Sequence, residues 1–214
     1  MDLLFASLCE QLKQPLPGPK IWQKWSANHN NHYKPPSNPK HAAVMICLYR
    51  QKNDLFLPVM VRTSDGGPHS GQISLPGGAF ESDKDLSLTE TALRETEEEM
   101  GIPKQDIGIA GMLSPLYIPV SNFLVQPVVG QLEQLPIFRA DNSEVHRIVE
   151  VPIKALLDPK NQTDFTFHYK EKEITSPAFN IGKDRIWGAT AMILTEFLAI
   201  LNQSILIQRM NKKT

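Results

Sequence analysis

The sequence contains little cysteine and almost no net charge. Its 214 residues include two cysteines, Cys9 and Cys47. Both stand among apolar residues, so we expect them to be reduced and buried, as suits a cytoplasmic protein. The formal net charge is −1, which gives no basic footprint for nucleic acid or for an anionic membrane surface. These features disfavour a disulfide-stabilised module and a nucleic-acid-binding protein.

Long apolar runs are also missing. The opening MDLLFASLCEQL has neither the basic segment nor the apolar length of a signal peptide. No stretch approaches the roughly 20 apolar residues of a membrane span, so we expect no membrane association. The composition, 41% hydrophobic and 21% charged, is that of a soluble globular chain. The length suits one domain with appendages.

Apolar runs predict strands on both sides of one central helix. Residues 42–49 form a nearly continuous apolar run, which predicts a buried strand with residues 55–62 as its hairpin partner. An irregular connection is expected at 117–123 and a long C-terminal helix at 192–207. Further strands are expected at 72–75, 107–113, 124–129, 165–169 and 173–178. This order predicts an α/β (α+β) protein with helices on both faces of a mixed sheet.

Residues 86–100 predict an amphipathic helix with clear ends. Thr89, Ala92, Leu93, Thr96 and Met100 recur at three- and four-residue steps and form an apolar stripe. Asp85 or Ser87 is placed to cap the start, and Ser87 with Glu90 fits a capping box. Gly101 suits the left-handed position after the last turn, and Pro103 ends the helix.

Acidic residues crowd the end of this helix. Glu95, Glu98 and Glu99 stand at i, i+3 and i+4, so we expect them to share a face away from the apolar stripe. Negative charge is unfavourable at a helix C-terminus, and Arg94 alone does not balance it. A hard divalent cation such as Mg²⁺ or Mn²⁺ would balance these carboxylates. The alternative is a solvated acidic face that binds nothing.

Two glycines precede the acidic helix. Gly77 and Gly78 follow Pro76 directly after an expected strand. Paired glycines let the backbone approach a ligand closely and expose N–H groups to anions. A glycine turn that cradles phosphate, followed by a helix of carboxylates that hold metal, is a plausible diphosphate site.

The segment RETEEEMGI, residues 94–102, resembles the REUxEExGU half of the Nudix box, with Thr96 at the aliphatic position. The upstream half departs from the general pattern, because Phe80 stands at its first glycine and Leu86 at its first glutamate. The region is instead similar to the longer motif of the coenzyme A pyrophosphatase branch. Residues 59–62 match its opening, and the later matching positions are His69, Gly71, Ile73, Leu75, Pro76, Gly77, Gly78, Thr91, Ala92, Arg94 and Glu95.

Three positions of this longer motif differ. Glu81 replaces its first aspartate, and Asp85 fits the second only if one residue is inserted. Gly67 stands where the branch has an arginine before the histidine, which bears on the substrate more than on the chemistry. Residues 115–130 and the IWGATA run also resemble this branch.

The resemblance implies the Nudix α/β/α sandwich with a mixed sheet, together with a set of site residues. Glu95, Glu98 and Glu99 would hold Mg²⁺ or Mn²⁺, with the Gly78 carbonyl as a further ligand. Glu98, Glu99, Arg94 and a later acid, Glu144, are the catalytic candidates, with Arg94 orienting the carboxylates. Substrate-binding candidates are Arg62, His69, Gly77 and Gly78.

The implied reaction is hydrolysis of a diphosphate linkage in a small molecule. By resemblance, the substrate is coenzyme A or an acyl-CoA, cut to 4′-phosphopantetheine and adenosine 3′,5′-bisphosphate. The alternatives are another nucleoside diphosphate derivative, such as ADP-ribose, a dinucleotide or a damaged nucleotide, and a domain that senses a nucleotide without cleaving it. A calcium-binding helix pair is excluded because the EF-hand loop spacing is missing.

The first 40 residues are expected to form an appendage. Residues 1–14 predict a short amphipathic helix, with Leu3, Leu4, Leu8 and Leu12 on the side that packs on the core. The prolines between positions 15 and 39 predict an extended arm, with an aromatic- and histidine-containing segment that suits a partner surface or a lid. We therefore divide the chain into residues 1–40, the helix and arm, and residues 41–214, the hydrolase domain. A homodimer through the N-terminal helix is a further hypothesis.

Overall fold

A large mixed sheet forms the centre of the protein. The structure is a computed structural model that describes residues 3–22, 35–63, 71–169 and 172–211. The strands of this sheet are β1 (Lys40–Gln51), β2 (Asp54–Arg62), β3 (Ile73–Ser74), β4 (Gly77–Ala79), β5 (Ile107–Met112), β6 (Leu116–Ile118), β7 (Phe123–Leu132) and β8 (Val145–Pro152). Five of them lie side by side in the order β3-β2-β1-β7-β5, while β4 pairs with β1, β6 with β7 and β8 with β2. Strands β1 and β7 are parallel and the other pairs are antiparallel, so the predicted mixed sheet is confirmed.

The hairpin of β1 and β2 opens a gap in the sheet. The two strands pair only at the turn, from Tyr49 to Gln51 on β1. Lys52 in that turn has a φ of 57°, in the left-handed region that tight turns use. Beyond the turn, β2 pairs with β8 and β3, while β1 pairs with β4. Gly77 and Gly78 of β4 therefore lie beside β1, the most buried strand of the sheet.

Helices cover both faces of the sheet, as the sequence predicts. The helices are α1 (Leu3–Gln11), α2 (Gly18–Trp22), α3 (Leu88–Met100), α4 (Ile153–Leu157) and α5 (Gly188–Asn211). Helix α3 packs on one face, where its Ala92 and Met100 share a buried cluster with Met45 of β1. Helices α1 and α5 pack on the other face, where Leu8 and Phe197 are fully buried.

A second, three-stranded antiparallel sheet lies under α5. It contains β9 (Gln162–Tyr169), β10 (Lys172–Ile181) and β11 (Asp184–Trp187), in the order β11-β10-β9. The hairpin of β9 and β10 is the predicted one, but β11 is not among the predicted strands. The expected irregular connection at 117–123 is partly wrong, because β6 pairs there with the start of β7. Strands β6 and β11 are three and four residues long, which is too short for sequence periodicity to reveal them.

The N-terminal segment departs from the prediction in two places. Residues 18–22 form helix α2, so an extended arm is wrong for that part. Leu4, Leu8 and Leu12 are buried as expected, but Leu3 is 69% exposed. Cys47 is buried and Cys9 is partly exposed, and both are free thiols. The division at residue 40 stays a prediction.

A buried carboxylate joins α2 to α5. Glu196 is fully buried, and it accepts hydrogen bonds from the Gly18 N–H and from the backbone and hydroxyl of Ser114. Burial raises the pKa of Glu196, and these hydrogen bonds oppose the rise. Residues 188–205 of α5 are apolar and long enough to span a membrane, but half of that stretch is buried inside the fold. The core helix of a soluble protein can have the same length and apolar composition.

Candidate active site

Helix α3 begins and ends where its caps place it. The Ser87 hydroxyl accepts a hydrogen bond from the Glu90 N–H at 3.2 Å, so Ser87 is the N-cap. Gly101 has a φ of 69°, and its N–H donates a hydrogen bond to the backbone carbonyl of Glu97, as in the usual glycine end of a helix. The helix starts at Leu88 rather than at residue 86. The capping prediction is thereby confirmed for Ser87 and Gly101.

Glu99 lies on the buried face of this helix. Its exposed fraction is 3%, and Oε2 accepts a hydrogen bond from the Gly77 N–H at 2.8 Å. The expectation that all three glutamates share a face away from the apolar stripe is therefore wrong for Glu99. The helical repeat explains this, because Glu99 stands seven residues after Ala92 and three after Thr96, which are both buried.

The two glycines of β4 bring the backbone against these carboxylates. Gly77 has a φ of 153°, and a Cβ there would lie 2.2 Å from the Ala43 carbonyl oxygen. A Cβ on Gly78 would lie 2.3 Å from Oε1 of Glu95. Only glycine permits this approach. The structure therefore places Gly77 beside Glu99 and Gly78 beside Glu95, two pairs of predicted site residues.

Arg94 connects the carboxylates to the loop before the helix. Its guanidinium donates two hydrogen bonds to Asp85, at 2.8 and 3.0 Å. It donates further bonds to Glu95 at 2.9 Å, to Glu98 at 3.0 Å and to the Ala79 carbonyl at 3.3 Å. This arrangement matches an orienting role for Arg94, and the pair with Glu98 spans one helical turn, from i to i+4.

Asp85 has a structural role that the sequence does not reveal. It is buried, and besides Arg94 it accepts hydrogen bonds from the Glu81 N–H and the Thr91 hydroxyl. The hydrogen bonds from Arg94 hold the pKa of Asp85 well below its usual range, and they raise the pKa of Arg94. The motif alignment places Asp85 at an acidic position, but only the fold shows that this carboxylate fixes Arg94.

Glu144 comes from a distant part of the chain to the same site. The Thr63 N–H donates to the Glu144 carbonyl, and the Asp141 N–H donates to the Glu99 carbonyl. These bonds hold the segment before β8 against the end of α3. Arg62 lies between the acids, with guanidinium nitrogens 3.9 Å from Oε1 of Glu99 and 3.9 Å from Oε2 of Glu144.

The carboxylates raise one another's pKa. Burial raises the pKa of Glu99 to about 8, the Gly77 N–H opposes the rise, and the charges of Glu95 and Glu144 add to it. Burial also raises the pKa of Glu95, while Arg94 lowers it and the charges of Glu98 and Glu144 raise it again. The site therefore holds more negative charge than its arginines neutralise, which is the condition that a bound cation relieves.

The donor set fits a hard cation, although its atoms do not converge. Carboxylate and carbonyl oxygens are the ligands that Mg²⁺ and Mn²⁺ prefer. Within the described residues, no group of three acidic, histidine or cysteine side chains is arranged to hold a metal. Arg94 holds Glu95 and Glu98, and the Gly77 N–H holds Glu99. The metal ligands proposed from sequence thus lie in one region but have protein partners.

Two residues of the sequence prediction fall elsewhere. His69, the substrate-binding candidate, and Gly67, the departure from the branch motif, lie outside the described residues. Their roles stay predictions.

Comparison with known proteins agrees with this geometry. The family model described as "NUDIX domain" matches residues 39–169, which contain β1 to β9, helix α3 and the glycine segment. The chain is a Nudix hydrolase. The Nudix fold and the enzyme class expected from the sequence are therefore confirmed, and the matched residues include every site residue proposed above.

Relatives of this Nudix hydrolase support the coenzyme A pyrophosphatase-like branch. The chain is 34% identical over 168 residues to the human mitochondrial coenzyme A diphosphatase NUDT8, covering 75% of this chain and 69% of that protein. It is 32% identical over 162 residues to the uncharacterized Nudix hydrolase NudL of Photorhabdus laumondii, covering 73% and 82%. A MutT/nudix family protein from Enterococcus faecalis has a similar fold, with a TM-score of 0.51, 17% identity and coverage of 83% and 70%.

Proposed function

We propose that this Nudix hydrolase cleaves the diphosphate linkage of coenzyme A or an acyl-CoA, releasing 4′-phosphopantetheine and adenosine 3′,5′-bisphosphate. The observation that carries the reaction class is the contact of Gly77 and Gly78 with the carboxylates of Glu99 and Glu95. The substrate rests on the branch motif and on the similarity to a coenzyme A diphosphatase.

The proposed metal ligands are Glu95, Glu98, Glu99 and the Gly78 carbonyl. A bound Mg²⁺ or Mn²⁺ would neutralise diphosphate oxygens and lower the pKa of a coordinated water. Arg94 keeps two of the three carboxylates in place, because it is itself fixed by two hydrogen bonds from its guanidinium to Asp85.

Arg62 and Glu144 would act on the substrate side of the site. Arg62 is about one-third exposed and contacts two carboxylates at a loose 3.9 Å, so its guanidinium is available to bind a phosphate oxygen. The Glu144 side chain is 56% exposed, and it would accept the proton as water attacks phosphorus and the anhydride P–O bond breaks. Another glutamate of the site is the alternative base.

A second candidate substrate is another nucleoside diphosphate derivative, such as ADP-ribose, a dinucleotide or a damaged nucleotide. Gly67, in place of the arginine of the branch motif, favours it. A non-catalytic nucleotide sensor is less suited to the site, because such a protein has no need of several carboxylates that raise one another's pKa.

The test is product chromatography of purified protein with Mg²⁺ or Mn²⁺, offered coenzyme A, ADP-ribose, NADH and nucleoside triphosphates side by side. We expect adenosine 3′,5′-bisphosphate from coenzyme A to be the preferred product. Preference for another compound would refute the substrate and retain the reaction. Cleavage of none of them would favour the sensor, which equilibrium binding of the same compounds then tests.

The cellular setting of the chain stays a prediction. Relatives include a bacterial protein and proteins named as mitochondrial or chloroplastic, so they do not decide for the expected cytoplasm. The homodimer and the lack of nucleic-acid or membrane partners are likewise untested expectations.

A further inference from the structure

A pocket lies where the parallel strands β1 and β7 both begin. Lys40 and Phe123 are the first residues of these strands and are paired across the sheet. The space beside them has a volume of about 440 Å³, within the usual range for small-molecule sites. We call it the strand-start pocket. Its lining includes Asn38, Lys40, His41, Ala79, Phe80 and Phe123.

The lining combines aromatic faces with a cation. Phe80 and Phe123 are both half-buried, so each presents part of an apolar ring to the pocket. The Lys40 ammonium lies 5.8 Å from the centre of the Phe123 ring. Throughout the described part of the chain, no carboxylate lies within ion-pair distance of this ammonium. Aromatic rings bind purine faces, and an exposed lysine binds a phosphate monoester.

The strand-start pocket adjoins the carboxylate site through β4. Ala79 lines the pocket, and its carbonyl accepts the hydrogen bond from Arg94. The preceding residue, Gly78, is the one that touches Glu95. The Phe80 N–H donates to the His41 carbonyl at 3.0 Å, which fixes this side of the pocket to β1. A diphosphate at the glycines would thus have one end directed toward the pocket.

We propose that the strand-start pocket binds the adenosine 3′-phosphate end of the substrate, with the purine against Phe80 and Phe123 and the 3′-phosphate on Lys40. The proposal rests on the coenzyme A activity proposed above and assigns a binding place to the nucleotide half of that substrate. Asn38 and His41 supply polar groups at the same opening. Lys40 would thus distinguish coenzyme A from its analogue without the 3′-phosphate.

The test compares kcat/KM for coenzyme A and 3′-dephospho-coenzyme A in the wild type and in Lys40→Met. We expect a loss of about tenfold for coenzyme A, carried by KM, because one charge-assisted contact is worth about that factor. For the dephospho analogue we expect a change below about twofold. Lys104→Met is the matched control, because Lys104 is an exposed lysine that follows the end of α3 and does not line the pocket. Equal losses on both substrates, or no loss on either, would overturn the proposal.

A binding measurement separates this proposal from the proposed activity. Calorimetric titration with adenosine 3′,5′-bisphosphate and with 5′-AMP needs no turnover. The wild type should bind the bisphosphate about tenfold more tightly, and Lys40→Met should remove the difference. Phe123→Leu should weaken both nucleotides, by about fivefold, because both have the purine. If coenzyme A is not cleaved but this pattern is found, the pocket stands and the activity fails. Equal affinity of the wild type for both nucleotides would refute the pocket assignment.

Discussion

Replacing Glu99 with glutamine tests the electrostatics of the acidic helix. Burial raises the pKa of Glu99 to about 8, whereas an unfolded glutamate titrates near about 4.3. Each pKa unit corresponds to about 1.4 kcal/mol, so this carboxyl lowers the free energy of unfolding by roughly 4 kcal/mol at about pH 8 without metal. Glutamine keeps an oxygen for the Gly77 N–H and carries no charge at any pH, and the opposing effect of Arg62 is already contained in the raised pKa of Glu99. We therefore expect a net gain of up to about 4 kcal/mol for Glu99→Gln in metal-free protein at about pH 8.

The pH dependence gives the sign of this effect. Between about pH 4.3 and about pH 8 the folded protein keeps a proton that the unfolded chain has released, so wild-type stability falls as pH rises. The gain in Glu99→Gln should be near zero at about pH 4 and reach its full value near pH 8. Added Mg²⁺ should stabilise the wild type at pH 8 and have little effect on the variant.

Urea unfolding in EDTA at several pH values measures this difference. Glu97→Gln is the control, because Glu97 lies on the same helix and is exposed, and its side chain accepts one hydrogen bond among the described residues, from the Lys104 N–H at 3.3 Å. Its stability should follow that of the wild type at every pH. A Glu99→Gln protein that is less stable than the wild type at about pH 8 in EDTA would show that the buried Glu99 carboxyl does not destabilise the metal-free fold.

Three further substitutions test contacts that hold the site and the N-terminal segment in place. Asp85→Asn should lower the free energy of unfolding by about 2–3 kcal/mol, because it removes the buried charge that fixes the Arg94 guanidinium and leaves only Glu95 and Glu98 as its close partners. Thermal unfolding should show no such loss in Asp83→Asn, an exposed position two residues away. Gly78→Ala should reduce kcat by more than about tenfold with the fold retained by circular dichroism, since its methyl would stand 2.3 Å from a carboxylate oxygen of α3; wild-type kcat would contradict this. Gly18→Ala should cost about 1–3 kcal/mol in urea unfolding, because its Cβ would lie 2.7 Å from Oε1 of Glu196; an unchanged midpoint would show that the buried carboxylate moves freely.

Local sequence rules predict the acidic helix well. Its apolar stripe, its Ser87 cap and its Gly101 terminus all follow from spacing and residue type, and the structure confirms them. The sequence does not predict that Glu99 is buried, because glutamate side chains are usually exposed to solvent. Such contradictions occur at functional sites. The seven-residue spacing from Ala92 was the available indication.

Features that depend on distant contacts escape sequence reasoning. Glu196 looks like one acid in an apolar helix, and only the fold brings Gly18 and Ser114 to its oxygens. Asp85 likewise gains its role from Arg94, nine residues later. The short strands β6 and β11 form because β7 and β10 offer them free edges, and three or four residues carry no period of their own.

The proposed hydrolysis depends on the carboxylates of α3. The most direct measurement is the turnover number of Glu98→Gln against that of Glu97→Gln on the preferred substrate with saturating Mg²⁺. Glu98 hydrogen-bonds Arg94 at 3.0 Å and its side chain is 54% exposed, so glutamine should fit without loss of fold. We expect a fall of about 100-fold or more for Glu98→Gln, the loss of several kcal/mol of transition-state stabilisation, and a change below about twofold for Glu97→Gln. Turnover of Glu98→Gln within about tenfold of the wild type would show that this carboxylate does not hold the metal.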